Sequence, residues 1–214
     1  MSTPETLADE FDEPQILDRK VIHRGYVWDI VSERFQYGDG EITREFVDHT
    51  GAVAVMAMDD EERILLIRQY RHPVRMRDWE LPAGLLDAAG EAPLAAAQRE
   101  LAEEADLTAG SWHTLIDFFT TPGGNNESIR IYLARDIAQA PEVFARTEEE
   151  ADIERRWVSL DAAVDAVQRG QLHNPSAVIG ILSLATARSR NWSDVKPADE
   201  PWPTRPPGPW GNQA

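Results

Sequence analysis

Cysteine is absent from this 214-residue chain. That excludes disulfides, thiolate nucleophiles and zinc–thiolate centres, and it fits a reducing compartment. Positive charge is scarce as well: 21 Lys and Arg stand against 38 Asp and Glu, a formal net charge of −17. No basic stripe is available for a phosphate backbone, so nucleic acid is not an expected partner. Nor does any apolar run reach bilayer length, so no membrane partner is expected. The first residues carry Glu5, Asp9, Glu10, Asp12 and Glu13 without an apolar stretch, unlike a signal or transit peptide. A soluble cytoplasmic protein is the expectation. His23, His49, His72, His113 and His173 show no metal-ligand spacing and read as surface or packing residues, and Ser176 lacks a nucleophile motif and reads as part of a helix start.

What is present is a 42% hydrophobic composition with seven Trp, enough for one good core and a small appended subdomain. Residues 1–14 read as a disordered acidic tail. Residues 15–49 read as a small N-terminal antiparallel β subdomain. There the strand-like runs 26–31 and 42–47 flank Tyr37-Gly38-Asp39-Gly40, a hairpin signal. Such a sheet is poorly able to stand alone and needs a partner surface. Residues 50–190 read as the main domain. It has apolar central strands at 51–58 and 63–70, a helix at 93–105, strands at 111–120, 129–135 and 153–158, and helices at 160–169 and 174–188. Mixed strands between helices indicate an α/β/α sandwich. Residues 191–214, with interleaved Pro and Trp, read as an irregular or extended tail.

The 93–105 helix carries the strongest chemical signal. At about 100° per residue, Glu104 lies roughly 40° and Glu103 roughly 60° from Glu100, on either side of it. Like charges so placed weaken an isolated helix, and a divalent cation offsets the repulsion. Oxygen donors with no Cys or His beside them suit Mg²⁺ or Mn²⁺ rather than Zn²⁺. The second reading of such a helix is a solvated face with weak ion pairs. Its surroundings favour the first: Leu81-Pro82-Ala83-Gly84 precedes the helix, and Gly90-Glu91 with Pro93 opens it. Arg99 is expected to pair with Glu91 or a neighbouring carboxylate and hold loop to helix.

Glu91, seven residues, then Arg99-Glu100-Leu101-Ala102-Glu103-Glu104 resemble the Nudix box. Two departures stand out. Six residues rather than five separate Gly84 from Glu91, an addition that falls in the loop. Asp106 replaces the closing Gly, at a position that wants a left-handed residue, which Asp tolerates better than most. Trp79-Glu80-Leu81-Pro82-Ala83-Gly84, Gln69-Tyr70-Arg71 and Pro122, fifteen residues beyond the box, resemble the ADP-ribose pyrophosphatase branch, closest to actinobacterial members.

The resemblance implies a Nudix-type fold, a homodimer built by the N-terminal sheet, and Mg²⁺- or Mn²⁺-dependent hydrolysis of ADP-ribose to AMP and ribose 5-phosphate. Alternatives are another nucleoside-diphosphate sugar or nucleotide as substrate, or a non-catalytic ADP-ribose sensor. Glu100 and Glu104 are the first metal-ligand candidates, one helical turn apart, with Glu103 next. Glu103 also stands among the catalytic candidates. The resemblance adds the Ala83 carbonyl as a ligand, and it places the general base in the acidic run 147–152, on Glu150 with Glu149 second. It also implies adenine stacking on Trp28, whose other reading is a core indole. Arg44 and Arg71 are candidates for bidentate contact with the diphosphate, and Arg34 is a further one. Glu80 either binds substrate or fixes the loop, and Glu127, just beyond the Gly123-Gly124 turn, is a further candidate to reach the site.

Overall fold

In the computed structural model, which describes residues 7–142 and 152–205, the chain runs β1 (Ile16–Arg24), β2 (Asp29–Tyr37), β3 (Gly40–Asp48), β4 (Ala52–Ala57), β5 (Arg63–Arg71), β6 (Met76–Glu80), β7 (Ala83–Leu85) and α1 (Pro93–Ala105). It continues through β8 (Leu107–Phe119), β9 (Ser128–Gln139), β10 (Glu154–Ser159), α2 (Leu160–Gln168), α3 (Pro175–Ser189) and β11 (Lys196–Pro197). Among the described residues three sheets form, with orders β1-β2-β3, β10-β5-β6 and β11-β8-β9-β4-β7. The β4–β9 pair is parallel and the others are antiparallel.

Period-two alternation along β4 and β9 builds the layers. Val53, Val55 and Ala57 join Tyr132 and Ala134 against Ala97, Leu101 and Ala105 of α1. The intervening Ala54 and Met56 join Ile131 and Leu133 against Ala177, Ile181 and Leu184 of α3. A strand buried on both faces reads as a continuous apolar run, which is what residues 52–57 are. The expected α/β/α sandwich with a small N-terminal antiparallel sheet is the architecture found. No helix among the described residues is long and apolar enough to cross a membrane.

The expected hairpin closes with Tyr37 opposite Gly40. Its sheet leaves large apolar side chains exposed, among them Val21, Ile22, Ile30 and Tyr37. In the tail, read as irregular or extended, Lys196 and Pro197 form a short extended pairing with Thr114 and His113 of β8. Beyond them Arg130, only 2% exposed, grips Asp117 with Nε and Nη2, both at 2.7 Å. The same guanidinium donates to the Glu200 and Pro201 carbonyls at 2.6 and 3.1 Å and lies 4.9 Å from the Trp202 ring centroid. A buried cation needs such acceptors, and the described part of the tail supplies them.

Candidate functional site

α1 starts with Pro93 at its first turn and no side-chain cap, and carries no basic residue in its last turn. Its C-terminus is stabilised from outside. Asp106 adopts φ 57°, ψ 36°, the left-handed conformation expected where a Gly is usual. Arg155 of β10 donates through Nη1 to the Ala105 carbonyl (2.5 Å) and to Asp106 Oδ2 (2.6 Å). A cation at that end complements the helix dipole.

The acidic face of α1 meets the 81–86 segment, which runs along β4. The Val55 amide donates to the Pro82 carbonyl at 2.8 Å, Ala54 pairs with Ala83, Val53 with Gly84, and the Leu86 amide donates to the Gly51 carbonyl at 3.1 Å. Glu104, 5% exposed, accepts the Ala83 N–H through Oε2 at 2.9 Å. Glu100 lies on Gly84, where any β-carbon would collide with its carboxylate. Glu103 stands outermost. Arg99 organises the rest: Nε and Nη2 reach Glu91 at 3.0 and 3.1 Å, and Nη1 is shared by Glu100 (2.7 Å) and Glu103 (2.8 Å). The hydrogen bonds from Arg99 hold the Glu91 carboxyl below its usual range, against a smaller opposing effect of burial, and Glu91 in turn raises the affinity of Arg99 for its proton. The expected pairing of Arg99 with Glu91 and a neighbouring carboxylate is therefore present.

All the converging side-chain donors are oxygens, and the Gly84 cradle holds Glu100 against the loop. This chemistry fits a hard divalent cation. Among the described residues no three His, Asp or Glu side chains close around a single point. Arg99 and the Ala83 amide hold the carboxylates on separate partners.

The other candidates distribute as follows. Glu80, 2% exposed, receives a fork from Arg71, Nε to Oε1 at 2.8 Å and Nη2 to Oε2 at 2.7 Å, plus Gln69 Nε2 at 3.1 Å. Arg71 and Glu80 thus form one unit at the β5–β6 pair, and Glu80 anchors Arg71 there. Arg34 faces Thr43 across the β2–β3 ladder and Arg44 faces Glu33, so alternation places the two arginines on opposite faces of the sheet. Arg34 pairs with Glu41, and Arg44 donates to the Thr43 carbonyl at 2.9 Å. Trp28, 45% exposed, packs its ring against His49, centroids 5.7 Å apart and tilted 30°. It is not a core indole. Glu127 faces the His49 ring and Thr120. Glu149 and Glu150 lie outside the described residues. Sequence reasoning missed Arg155 and Arg130, while His49, read as a surface or packing residue, is a buried packing residue. Of the two missed only Arg130 left a trace, a charge inside the apolar run 129–134.

The family model of the NUDIX domain matches residues 48–178. The ADP-ribose pyrophosphatase of Mycobacterium tuberculosis is 39% identical over 193 residues, covering 90% of this chain and 92% of that protein. The ADP-ribose pyrophosphatase of Bacillus subtilis is 32% identical over 173 residues, covering 80% and 92% respectively. A crystal structure of an ADP compounds hydrolase superposes with a TM-score of 0.70 at 20% identity, covering 86% of this chain and all of that one, which speaks for the fold.

Proposed function

Because this chain belongs to the Nudix family, whose hydrolases generally require divalent metal ions, we propose that it hydrolyses ADP-ribose to AMP and ribose 5-phosphate. The observation that carries the reading is the seating of Glu100 and Glu104 on the Ala83–Gly84 segment, one helical turn apart and facing the same loop. The likeness to two ADP-ribose pyrophosphatases over nearly their whole lengths supports the choice of substrate.

Glu100 and Glu104, with Glu103 outermost and the Ala83 carbonyl, would hold Mg²⁺ or Mn²⁺. When bound, such an ion neutralises diphosphate charge and acidifies water. The chain's own residues supply the rest. Arg99 fixes the spacing of Glu91, Glu100 and Glu103, and Glu104 fixes the loop through the Ala83 amide. Water adds across the P–O–P bridge, one phosphate keeping the bridging oxygen and the other gaining the hydroxyl. Glu150, with Glu149 as the second candidate, would take the water's proton. Trp28 offers a stacking face for adenine, while Arg71, anchored by Glu80, and Arg44 are assigned to the diphosphate. Arg34, on the opposite face of its sheet from Arg44 and paired with Glu41, is a further candidate for the diphosphate.

The domain reading extends this: residues 15–49 as the dimerisation subdomain of a homodimer, in which Trp28 serves the partner's site, and 50–190 as the hydrolase domain. The exposed apolar side chains of the N-terminal sheet support a partner surface. The absence of Cys fits a cytoplasmic setting.

Incubation with ADP-ribose and Mg²⁺ or Mn²⁺, with products resolved by chromatography, tests the substrate against a panel of nucleoside-diphosphate sugars and nucleoside triphosphates. ADP-ribose should give equimolar AMP and ribose 5-phosphate and the highest kcat/KM. Preference for another member would reassign the substrate, and binding of ADP-ribose without turnover would make the protein a sensor.

A further inference from the structure

A stacking platform is useful only if its ring is already in place, since ordering a free side chain on binding subtracts from affinity. Trp28 sits in the turn between β1 and β2, where an exposed indole would ordinarily sample several rotamers. Two features limit that freedom, one at the Trp28 backbone and one at its ring. At Gly25 a β-carbon would stand 2.2 Å from the Trp28 carbonyl oxygen, so the turn folds this tightly only on glycine. The indole itself then rests on the His49 imidazole.

His49 is 6% exposed and fixed at three points. Its backbone N–H donates to Asn126 Oδ1 at 2.7 Å, while Asn126 Nδ2 donates to Asp48 Oδ1 at 2.7 Å. Its Nδ1 accepts the Gly51 N–H at 3.1 Å, which places the proton of the neutral ring on Nε2. Nε2 faces Glu127 Oε1 at 3.4 Å, and the other Glu127 oxygen accepts the Thr120 hydroxyl at 2.7 Å. The ring beneath Trp28 is thus held by the 121–127 loop on one side and by Gly51 on the other. The Gly51 carbonyl in turn receives the Leu86 amide, two residues beyond Gly84.

We infer that His49 is a positioning residue for recognition of the substrate's base, holding the Trp28 ring in its stacking pose and tying that pose through Glu127 to the 121–127 loop. The inference rests on the reading that Trp28 stacks the base. It assigns His49 no contact with reacting atoms, so its removal should weaken binding without slowing chemistry.

The test is steady-state kinetics with ADP-ribose, together with inhibition by AMP, which keeps the base, and by ribose 5-phosphate, which lacks it. His49→Ala should raise KM and the AMP inhibition constant about 3- to 10-fold, the worth of an aromatic contact, with kcat within about twofold. The ribose 5-phosphate constant should not move. His49→Phe, which keeps a ring but neither nitrogen, should fold and show a smaller shift of the same kind. Glu127→Ala, which removes the acceptor facing Nε2, should follow His49→Phe. In a Trp28→Ala background His49→Ala should add nothing. A shift that persists in that background, a fall in kcat, or an equal shift for ribose 5-phosphate overturns the inference. If Trp28→Ala raises KM while neither His49 variant does, the positioning role fails and stacking on Trp28 stands. If Trp28→Ala itself changes neither constant, the stacking reading falls and takes the inference with it.

Discussion

Glu100 lies across Gly84 so closely that a β-carbon on residue 84 would stand 1.9 Å from Oε1, 2.1 Å from Cδ and 2.4 Å from Cγ. Gly84 is therefore required by the carboxylate rather than by its own backbone angles. Gly84→Ala should push the whole Glu100 side chain off the loop. The protein should still fold, losing about 1–3 kcal/mol to overpacking. Turnover should fall by about 10- to 100-fold, because the carboxylate leaves its position. Melting curves beside kcat separate the two effects, and a variant with wild-type turnover would show that the close approach has no bearing on chemistry.

Glu91 carries a pH signature. Arg99 holds its folded-state pKa below the ordinary range, so the pair contributes stability above the unfolded carboxylate's pKa and loses it as pH falls through the folded value. The stability difference between wild type and Glu91→Gln should be full at neutral pH and close progressively once pH drops below about 4.3, the ordinary glutamate value. Urea unfolding at stepped pH checks this, and a gap that widens in acid would reverse the sign.

At the far end of α1, Arg155 and Asp106 depend on each other. Arg155→Met leaves the Asp106 carboxylate and the terminal carbonyl without their shared donor, and should destabilise by about 1–3 kcal/mol. Asp106→Gly should be milder, since glycine takes the left-handed conformation readily. The double variant should lose less than the sum of the two, measured as a non-additive cycle of unfolding free energies. Strict additivity would mean that the pair does not act as a unit.

The β1–β2–β3 sheet exposes Val21, Ile22, Ile30 and Tyr37, an apolar surface of the kind a second subunit covers. Light scattering should give twice the chain mass, and Ile22→Lys should shift the protein toward monomer. A wild-type monomer at working concentration would contradict the dimer and the sharing of Trp28 between subunits.

Which parts of this were legible in the sequence follows from the range of each interaction. The α1 carboxylates could be placed because 3.6 residues per turn fixes Glu100, Glu103 and Glu104 relative to one another whatever surrounds them. β4 and β5 were visible as apolar runs. β7 was not, because three residues beside Pro82 carry no period, although that short strand presents Ala83 and Gly84 to the helix. The Arg71–Glu80 fork depends on the β5–β6 register, and the Trp28–His49 contact on a chain reversal between sheet and loop. Neither leaves a local pattern. The tail read as irregular or extended because interleaved Pro and Trp usually mark such segments. Its anchor, the buried Arg130, lies more than sixty residues upstream.

The role of the buried Glu104 is tested most directly by the rate of ADP-ribose hydrolysis by Glu104→Gln at saturating Mg²⁺. The amide keeps the side chain's shape and an oxygen for the Ala83 N–H but gives up the charge. The variant should melt within a few degrees of wild type, while kcat falls by on the order of 100-fold or more. A folded variant that cleaves ADP-ribose at the wild-type rate would contradict the role given to the helix.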